Sequence, residues 1–147
     1  MTLAEILKLA PVVPVLIVEE EAHAVPLAKA LVAGGLYALE VTLRTPVAVE
    51  CIRRIAGEVE GAVVGAGTIL TSSARQAAAD AGAKFGVSPG LIGGEGFDGP
   101  LPLLPGVATA TELMAGLRAG YTHFKLFPAN VVGGVGAVLH GAPIMTL

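Results

Sequence analysis

Short β-rich runs alternate with alanine-rich helical stretches through most of this chain, and this alternation constrains the fold more than any other feature. The predicted strands cover residues 11–18, 37–43, 62–65, 84–87, 101–104 and 122–127, and the third runs into a predicted tight turn at residues 65–68. The predicted helices cover residues 21–33, 46–57, 71–81 and 109–119, with Thr45 as the N-cap of the second. Strands that alternate with helices build right-handed βαβ units and a parallel sheet. We therefore expect an α/β fold, with residues 1–147 as a single domain.

Composition and charge exclude several classes of protein. The chain has 147 residues, of which 54% are hydrophobic and 14% charged, which suits one compact soluble domain with a large core. The net charge of -3 and the scattered basic residues argue against a nucleic-acid partner. No apolar run reaches the roughly 18 residues of a membrane span, and the N-terminus lacks the basic start of a signal peptide. Together with the single Cys51, these features predict a cytoplasmic protein without a membrane partner.

Lys125 places an ammonium group inside a predicted buried strand, in the segment Tyr-Thr-His-Phe-Lys-Leu-Phe-Pro-Ala at 121–129. A strand of a parallel sheet is apolar on both faces, so an interior lysine must be neutralised, paired or used in chemistry. Burial favours the neutral amine, which is a nucleophile toward ketones, and this indicates a Schiff-base lysine. For a lysine taken alone, the favoured alternative is a residue at the strand edge whose ammonium reaches water.

A second charged residue, Glu40, lies within the predicted strand 37–43. Its presence favours a chemical role for Lys125 over a place at the strand edge. Period-two alternation places Glu40, Thr42 and Arg44 on one face of the strand and apolar residues on the other. Glu40 and Arg44 are about 13 Å apart along the strand, so they can hold different parts of a ligand. The alternative is that both residues make ordinary ion pairs at a rim.

Six sequence strings occur in the order and approximate spacing of a known enzyme family. They are Pro-Val-Val-Pro-Val at 11–15, Leu-Glu-Val-Thr-Leu-Arg-Thr at 39–45, Gly-Ala-Gly-Thr at 65–68, Ser-Pro-Gly at 88–90, Leu-Pro-Gly at 104–106 and Phe-Lys-Leu-Phe-Pro-Ala at 124–129. Over roughly residues 9–140, the chain resembles the 2-keto-3-deoxy-6-phosphogluconate aldolase family, which includes 4-hydroxy-2-oxoglutarate aldolase activity. The resemblance implies a homotrimeric (β/α)8 TIM barrel with its site at the carboxyl ends of the strands.

The resemblance also implies a reaction and two catalytic residues. The family carries out class I aldol cleavage of 2-keto-3-deoxy-6-phosphogluconate, or of a related 2-keto-3-deoxy or 4-hydroxy-2-keto acid, to pyruvate and an aldehyde. This carbon-carbon lyase reaction belongs to the Entner-Doudoroff pathway. By similarity, Lys125 forms the Schiff base with the C2 ketone, and Glu40 moves protons through a water molecule.

Four further residues are implied to bind the substrate. Arg44 and Thr68 are assigned to the pyruvate carboxylate, because a guanidinium pairs with a carboxylate and a hydroxyl adds a hydrogen bond. Pro89 and Phe127 are assigned to the pocket walls. The alternatives are local turn bonding for Thr68 and plain core packing for Phe127. No metal or other cofactor is expected, because the three histidines lack metal-ligand spacing.

The chain ends at residues 142–147, where strand seven of the family's barrel would begin. We therefore expect only about six βα units, an incomplete barrel without the last two strands and the phosphate-binding loops that follow them. Three alternatives stay open: a fragment of a full aldolase, a short homologue completed by oligomerisation, and a catalytically silent oligomerising or pyruvate-binding remnant. The glycine-rich stretch at 91–100 is predicted to be an irregular connector.

Overall fold

A computed structural model of the protein describes residues 1–91 and 99–141. In chain order its elements are α1 (Leu3–Ile6), β1 (Val15–Leu16), α2 (Glu21–Ala33), β2 (Ala38–Thr42), α3 (Ala48–Glu58), β3 (Val63–Gly67), α4 (Ser72–Asp80), β4 (Gly86–Val87), β5 (Leu103–Leu104), β6 (Gly106–Val107), α5 (Ala110–Arg118), β7 (Lys125–Leu126) and α6 (Gly134–Gly141). The predicted alternation is confirmed. The connector predicted at 91–100, apart from its ends, and the start of a seventh strand at 142–147 lie outside the described residues. No helix in the described ranges is long and apolar enough to cross a membrane.

Each strand pairs in parallel with the next strand position along the chain. Strands β1 to β5 form one sheet in sequential order, and β6 pairs with β7. Pro105 separates β5 from β6 because it has no N–H to donate, yet its carbonyl accepts a hydrogen bond from Lys125 N at 2.9 Å. The two segments therefore share one strand position between β4 and β7. The fold is of the (β/α)8 TIM-barrel type, with six strand positions in the described part of this chain.

Alternate residues of the sheet enter two separate cores. The outer core lies between the strands and the helices, and it includes Leu39 and Val41 together with Ile52 of α3. The inner core lies inside the barrel, and it consists of the buried residues Ile6, Ala38, Phe85 and Val87. Because Ala38 faces inward while Leu39 and Val41 face the helices, alternation along β2 turns the intervening polar residues inward as well. The predicted polar face of this strand is confirmed.

Helix α1 was not predicted, although the sequence carries a signal for it. Thr2 and Glu5 form a capping box, in which Glu5 N donates to Thr2 Oγ1 at 3.3 Å and Thr2 N donates to Glu5 Oε2 at 2.7 Å. The helix places the fully buried Ile6 in the inner core. The Thr-x-x-Glu spacing indicates a helix start, but four residues are too few for apolar periodicity to reveal the rest.

The predicted N-cap of α3 was wrong. Thr45 does not cap the helix, because its hydroxyl donates to the carbonyl of Val18 at 2.7 Å. Helix α3 begins instead at Ala48, with Val47 as its N-cap and no side-chain cap bond. Val18 follows the short strand β1, and a carbonyl at a strand end needs a partner once it is removed from water. The Thr45 hydroxyl supplies that partner.

The predicted end of the third strand, at residue 65, was also wrong, since β3 continues to Gly67. Two glycines in this stretch suggested a tight turn, but here they serve close packing. A Cβ atom on Gly65 would overlap three atoms of the Phe85 ring, and that ring is only 1% exposed. Glycine in a strand can mark a site where another group approaches closely, and at Gly65 that group is the Phe85 ring.

Replacing Gly65 with alanine is expected to lower the free energy of unfolding by about 1 to 3 kcal/mol, because the added methyl group must displace a packed ring. The matched control is Gly57→Ala in α3, whose added Cβ would meet no atom within 4 Å. That change should raise stability by up to about 1 kcal/mol through helix propensity. Denaturant unfolding of both variants provides the measurement. A Gly65→Ala protein as stable as its parent would contradict the packing described for Phe85.

Candidate active site

The carboxyl ends of the strands carry all six residues that the sequence predicted for the site. Two of them lie within strands, Glu40 in β2 and Lys125 in β7. The other four follow the end of a strand by one or two residues: Arg44 after β2, Thr68 after β3, Pro89 after β4 and Phe127 after β7. Because the strands are parallel, their carboxyl ends meet at one end of the barrel, which is where barrel enzymes place their sites.

Glu40 and Lys125 face each other across the barrel interior. Lys125 Nζ lies 3.6 Å from Glu40 Oε1, although β2 and β7 are not neighbours in the sheet. The Glu40 side chain is 6% exposed, and the Lys125 side chain is 27% exposed. Lys125 is therefore less buried than its sequence context predicts, with part of its side chain open to water. An amine and a carboxyl at this separation can exchange a proton through a small movement or one water molecule.

Burial raises the pKa of the Glu40 carboxyl above its usual value of 4.5. The nearby charges of Lys125 and Arg44 act in the opposite direction and offset part of that rise. A carboxyl whose pKa is raised holds its proton more readily than one in water, so it can serve as an acid as well as a base. The electrostatics of the site thus suit Glu40 to acid–base chemistry rather than to a static ion pair.

Phe127 borders the amine of Lys125, and Pro89 packs against the strand paired with β7. The Lys125 Nζ atom lies 5.1 Å from the centroid of the Phe127 ring, a distance at which a cation interacts with the face of an aromatic ring. A Cβ atom on Gly106 would overlap the Pro89 carbonyl, and Gly106 is the register partner of Lys125 in the sheet. Phe127 thus lies near the amine itself, whereas Pro89 lies against the backbone of the neighbouring strand β6.

Arg44 and Thr68 form a second polar pair at the same end of the barrel. Arg44 Nε donates to Thr68 Oγ1 at 3.2 Å. Thr68 has a φ of +59°, which is an uncommon conformation for a β-branched residue. The local turn bonding considered for Thr68 is not what the structure shows, since its hydroxyl accepts from a guanidinium that follows the neighbouring strand β2, 24 residues earlier in the sequence. The rest of the guanidinium, with its two amino groups, remains suited to a carboxylate.

Two supporting hydroxyl groups were not singled out by the sequence. Thr42, only 1% exposed, donates from Oγ1 to the Leu16 carbonyl at 3.1 Å and so ties β1 to β2 below the rim. Ser88, fully buried, donates to the Gly90 carbonyl at 2.8 Å and shapes the turn that contains Pro89. The signal for Thr42 was its place on the same strand face as Glu40. Ser88 had no signal beyond its position beside Pro89.

Metal ligation has no geometric support in the part of the chain that the structure describes. Across residues 1–91 and 99–141, no group of three or more His, Cys, Asp or Glu side chains lies close enough to hold a metal ion. His123, two residues before Lys125, bonds through Nδ1 to its neighbour Thr122 Oγ1 at 2.8 Å. Its role there is local.

Sequence comparison connects this geometry to known proteins. A family model described as KDPG and KHG aldolase matches residues 3–142. The KHG/KDPG aldolase of Escherichia coli strain K12 is 52% identical over 136 residues, which cover 90% of this chain and 64% of the relative. The chain thus spans a little under two thirds of the length of that relative.

Structure comparison leads to proteins of the same kind. The 2-keto-3-deoxy-6-phosphogluconate aldolase of Zymomonas mobilis ATCC 29191 aligns with a TM-score of 0.92 at 47% identity, covering 98% of this chain and 71% of that one. The KDPG aldolase of Legionella pneumophila aligns with a TM-score of 0.87 at 40% identity, covering 94% and 68%. The Legionella crystal structure holds pyruvate captured at low pH as a covalent carbinolamine intermediate.

The raised pKa of Glu40 predicts how stability depends on pH. A carboxyl whose pKa is raised by folding binds more protons in the folded than in the unfolded protein, so its ionisation destabilises the fold. The free energy of unfolding of the parent protein should therefore fall, relative to that of Glu40→Gln, as pH rises above 4.5. Below that pH both side chains are neutral, and the difference should be constant.

Urea unfolding of the two proteins at a series of pH values from about 4 to 8 measures this difference. Effects of titrating groups that do not interact with Glu40 cancel when the proteins are compared at the same pH. A difference that stays constant across the series, or that grows in favour of the parent protein, would contradict the raised pKa.

Proposed function

The chain belongs to the KDPG and KHG aldolase family, and we propose that the protein is a class I aldolase. Its reaction is the reversible cleavage of 2-keto-3-deoxy-6-phosphogluconate, or of a related 2-keto-3-deoxy or 4-hydroxy-2-keto acid, to pyruvate and an aldehyde. The observation that carries the proposal is the 3.6 Å approach of the Lys125 amine to the buried Glu40 carboxyl at the carboxyl ends of the strands. The covalent pyruvate adduct held by the Legionella relative supports the same chemistry.

The reaction starts at the Lys125 amine. Its neutral form attacks C2 of the keto acid and gives a carbinolamine, which loses water to become a protonated imine. The C3–C4 bond then breaks, and its electron pair moves into the imine to form an enamine while the aldehyde leaves. Protonation of the enamine at C3 and addition of water at C2 release pyruvate and restore the amine.

Glu40 moves the protons that these steps require. Its carboxylate accepts the proton of the C4 hydroxyl as the C3–C4 bond breaks, and its acid form returns a proton when the imine is formed or hydrolysed. The low exposure of its side chain, 6%, keeps this exchange close to the reacting atoms. The raised pKa of Glu40 favours its acid form relative to a carboxyl in water, which helps it to return a proton.

Arg44 and Thr68 bind the carboxylate of the substrate in this scheme. The bond from Arg44 Nε to Thr68 Oγ1 fixes the plane of the guanidinium, so that its amino groups meet a planar carboxylate. Phe127 and Pro89 form the walls on either side of the amine. Binding the carboxylate at the rim places the C2 ketone deeper in the barrel, toward Lys125.

What we propose about partners, assembly and compartment rests on family membership alone. The ligands are keto acids and pyruvate, the expected assembly is a homotrimer, and the expected compartment is the cytoplasm. The competing proposal is a catalytically silent protein that oligomerises or binds pyruvate without forming a covalent bond. The two proposals differ in one observable, the covalent capture of pyruvate.

Borohydride added together with pyruvate is expected to reduce the imine on Lys125. The peptide that contains Lys125 should then gain the mass of pyruvic acid less one oxygen atom, as measured by mass spectrometry. Lys125→Arg should abolish the gain, because a guanidinium stays protonated and is no nucleophile. Lys84→Arg is the matched control, since this exposed lysine precedes β4, at the opposite end of the barrel, and its loss should leave the label intact. No label on folded protein would favour the silent alternative, and a label on another residue would contradict the assignment of Lys125.

Glu40 and Arg44 should be separable by their kinetics. Glu40→Gln is expected to slow turnover by at least about a hundredfold, as loss of a general acid–base group does, with a smaller effect on pyruvate capture. Arg44→Ala is expected mainly to raise the pyruvate concentration that gives half-maximal capture, because it removes a carboxylate ligand. Steady-state turnover and borohydride capture across pyruvate concentrations measure both effects. The same response in both variants would contradict the division of roles.

A further inference from the structure

The carboxylate of Glu40 occupies the space in which a side chain at Gly67 would lie. Gly67 is the last residue of β3, which pairs in parallel with β2. A Cβ atom built on Gly67 would overlap Glu40 Oε1 and lie 2.8 Å from both Cδ and Cγ. Real Cβ atoms essentially never approach another atom closer than 3.0 Å. Any other residue at this position would therefore force the carboxylate to move.

The backbone does not require glycine at this position. The φ angle of Gly67 lies outside the left-handed range, whereas the next residue, Thr68, has a φ of +59°. An alanine at Gly67 can adopt the same backbone conformation. Its closest new contacts would all be with atoms of Glu40, so the requirement for glycine here is a requirement for space.

The other neighbours of Glu40 leave the carboxylate few places to go. In the sheet, Glu40 is in register with Val15 on one side and with Gly65 on the other. The Phe85 ring fills the space over Gly65 in the inner core. A methyl group at Gly67 would displace the carboxylate from its place against β3. The 3.6 Å separation from Lys125 Nζ depends on its present place.

We propose that Gly67 is a positioning residue, and that the absence of a side chain there holds the Glu40 carboxylate against β3 and within reach of the Lys125 amine. The catalytic consequence rests on the proposed aldolase function, whereas the placement of the carboxylate does not. Gly67 acts through Glu40, because the space that a side chain would fill is occupied by atoms of that residue.

The kinetic test is a double-mutant cycle of Gly67→Ala and Glu40→Gln. Gly67→Ala alone should lower kcat by about tenfold or more, part of the contribution of a general acid–base group, and change KM by less than about threefold. In the Glu40→Gln background it should have almost no further effect on kcat, because the acid–base group is already absent. Equal effects in both backgrounds would overturn the proposal. Gly65→Ala is the matched control, since its Cβ meets Phe85 instead, and its effect should be the same in both backgrounds.

A second test does not depend on aldolase activity. A carboxylate displaced from its place against β3 loses part of its burial, and its pKa should then be raised less. The free energy of unfolding of the protein with Glu40, relative to that with Glu40→Gln, should therefore change less with pH when both proteins also carry Gly67→Ala. Gly65→Ala should leave that difference unchanged. If parent protein fails to capture pyruvate while this shift is seen, the proposed function is wrong and the positioning holds. If capture succeeds and the shift is missing, the positioning is wrong.

The remaining possibility is that Gly67→Ala does not fold. Glu40→Ala in the same protein removes Cγ, Cδ and Oε1, the three atoms of Glu40 that the added methyl group would meet. Folding, followed by circular dichroism, should then be restored. Failure of Glu40→Ala to restore it would show that the methyl group meets something other than the Glu40 side chain, and would overturn the proposal.

Discussion

The site depends on a carboxyl group held out of water and an amine that reaches it from across the barrel. Glu40 and Lys125 lie on strands that are separated by three strand positions, so curvature of the sheet, not neighbouring strands, brings them to 3.6 Å. A flat parallel sheet would keep them far apart. This contact requires three features of the fold. Alternate residues of β2 face inward, the strands run parallel in sequential order, and the carboxyl end of the barrel is open.

Removing the ionised Glu40 carboxyl from water costs free energy, and several features of the fold bear on that cost. Burial raises its pKa, whereas Lys125 and Arg44 stabilise the ionised form. Gly65 and Gly67 allow the Phe85 ring and the carboxylate to lie directly against β3. Thr68 accepts a bond from Arg44 in a left-handed conformation that costs about 1 to 3 kcal/mol. The carboxyl end of β3 thus supports Glu40 of β2 and Arg44, which follows that strand.

Periodicity predicted the order of helices and strands, because each element repeats a local pattern of apolar residues. It also placed Glu40 and Arg44 on one strand face, and the resemblance to a family paired Glu40 with Lys125. The partner of Thr45 could not be predicted, since the Val18 carbonyl becomes its neighbour only when β1 and β2 pair. The glycines of β3 suggested a turn because the side chains that fill the space beside them lie elsewhere in the sequence. Phe85 packs on Gly65, and Glu40 packs on Gly67.

The sequential order of the strands has a consequence for synthesis of the protein. The ribosome completes β1, β2 and β3 well before Lys125 is made. A nascent chain that has only these strands leaves the inward face of β2 open to water, where the Glu40 carboxyl keeps its ordinary hydration. Addition of the later strands encloses that face, and the sixth strand position brings the ammonium group to the carboxyl. The reactive pair is therefore complete only near the end of synthesis of the part of the chain that the structure describes.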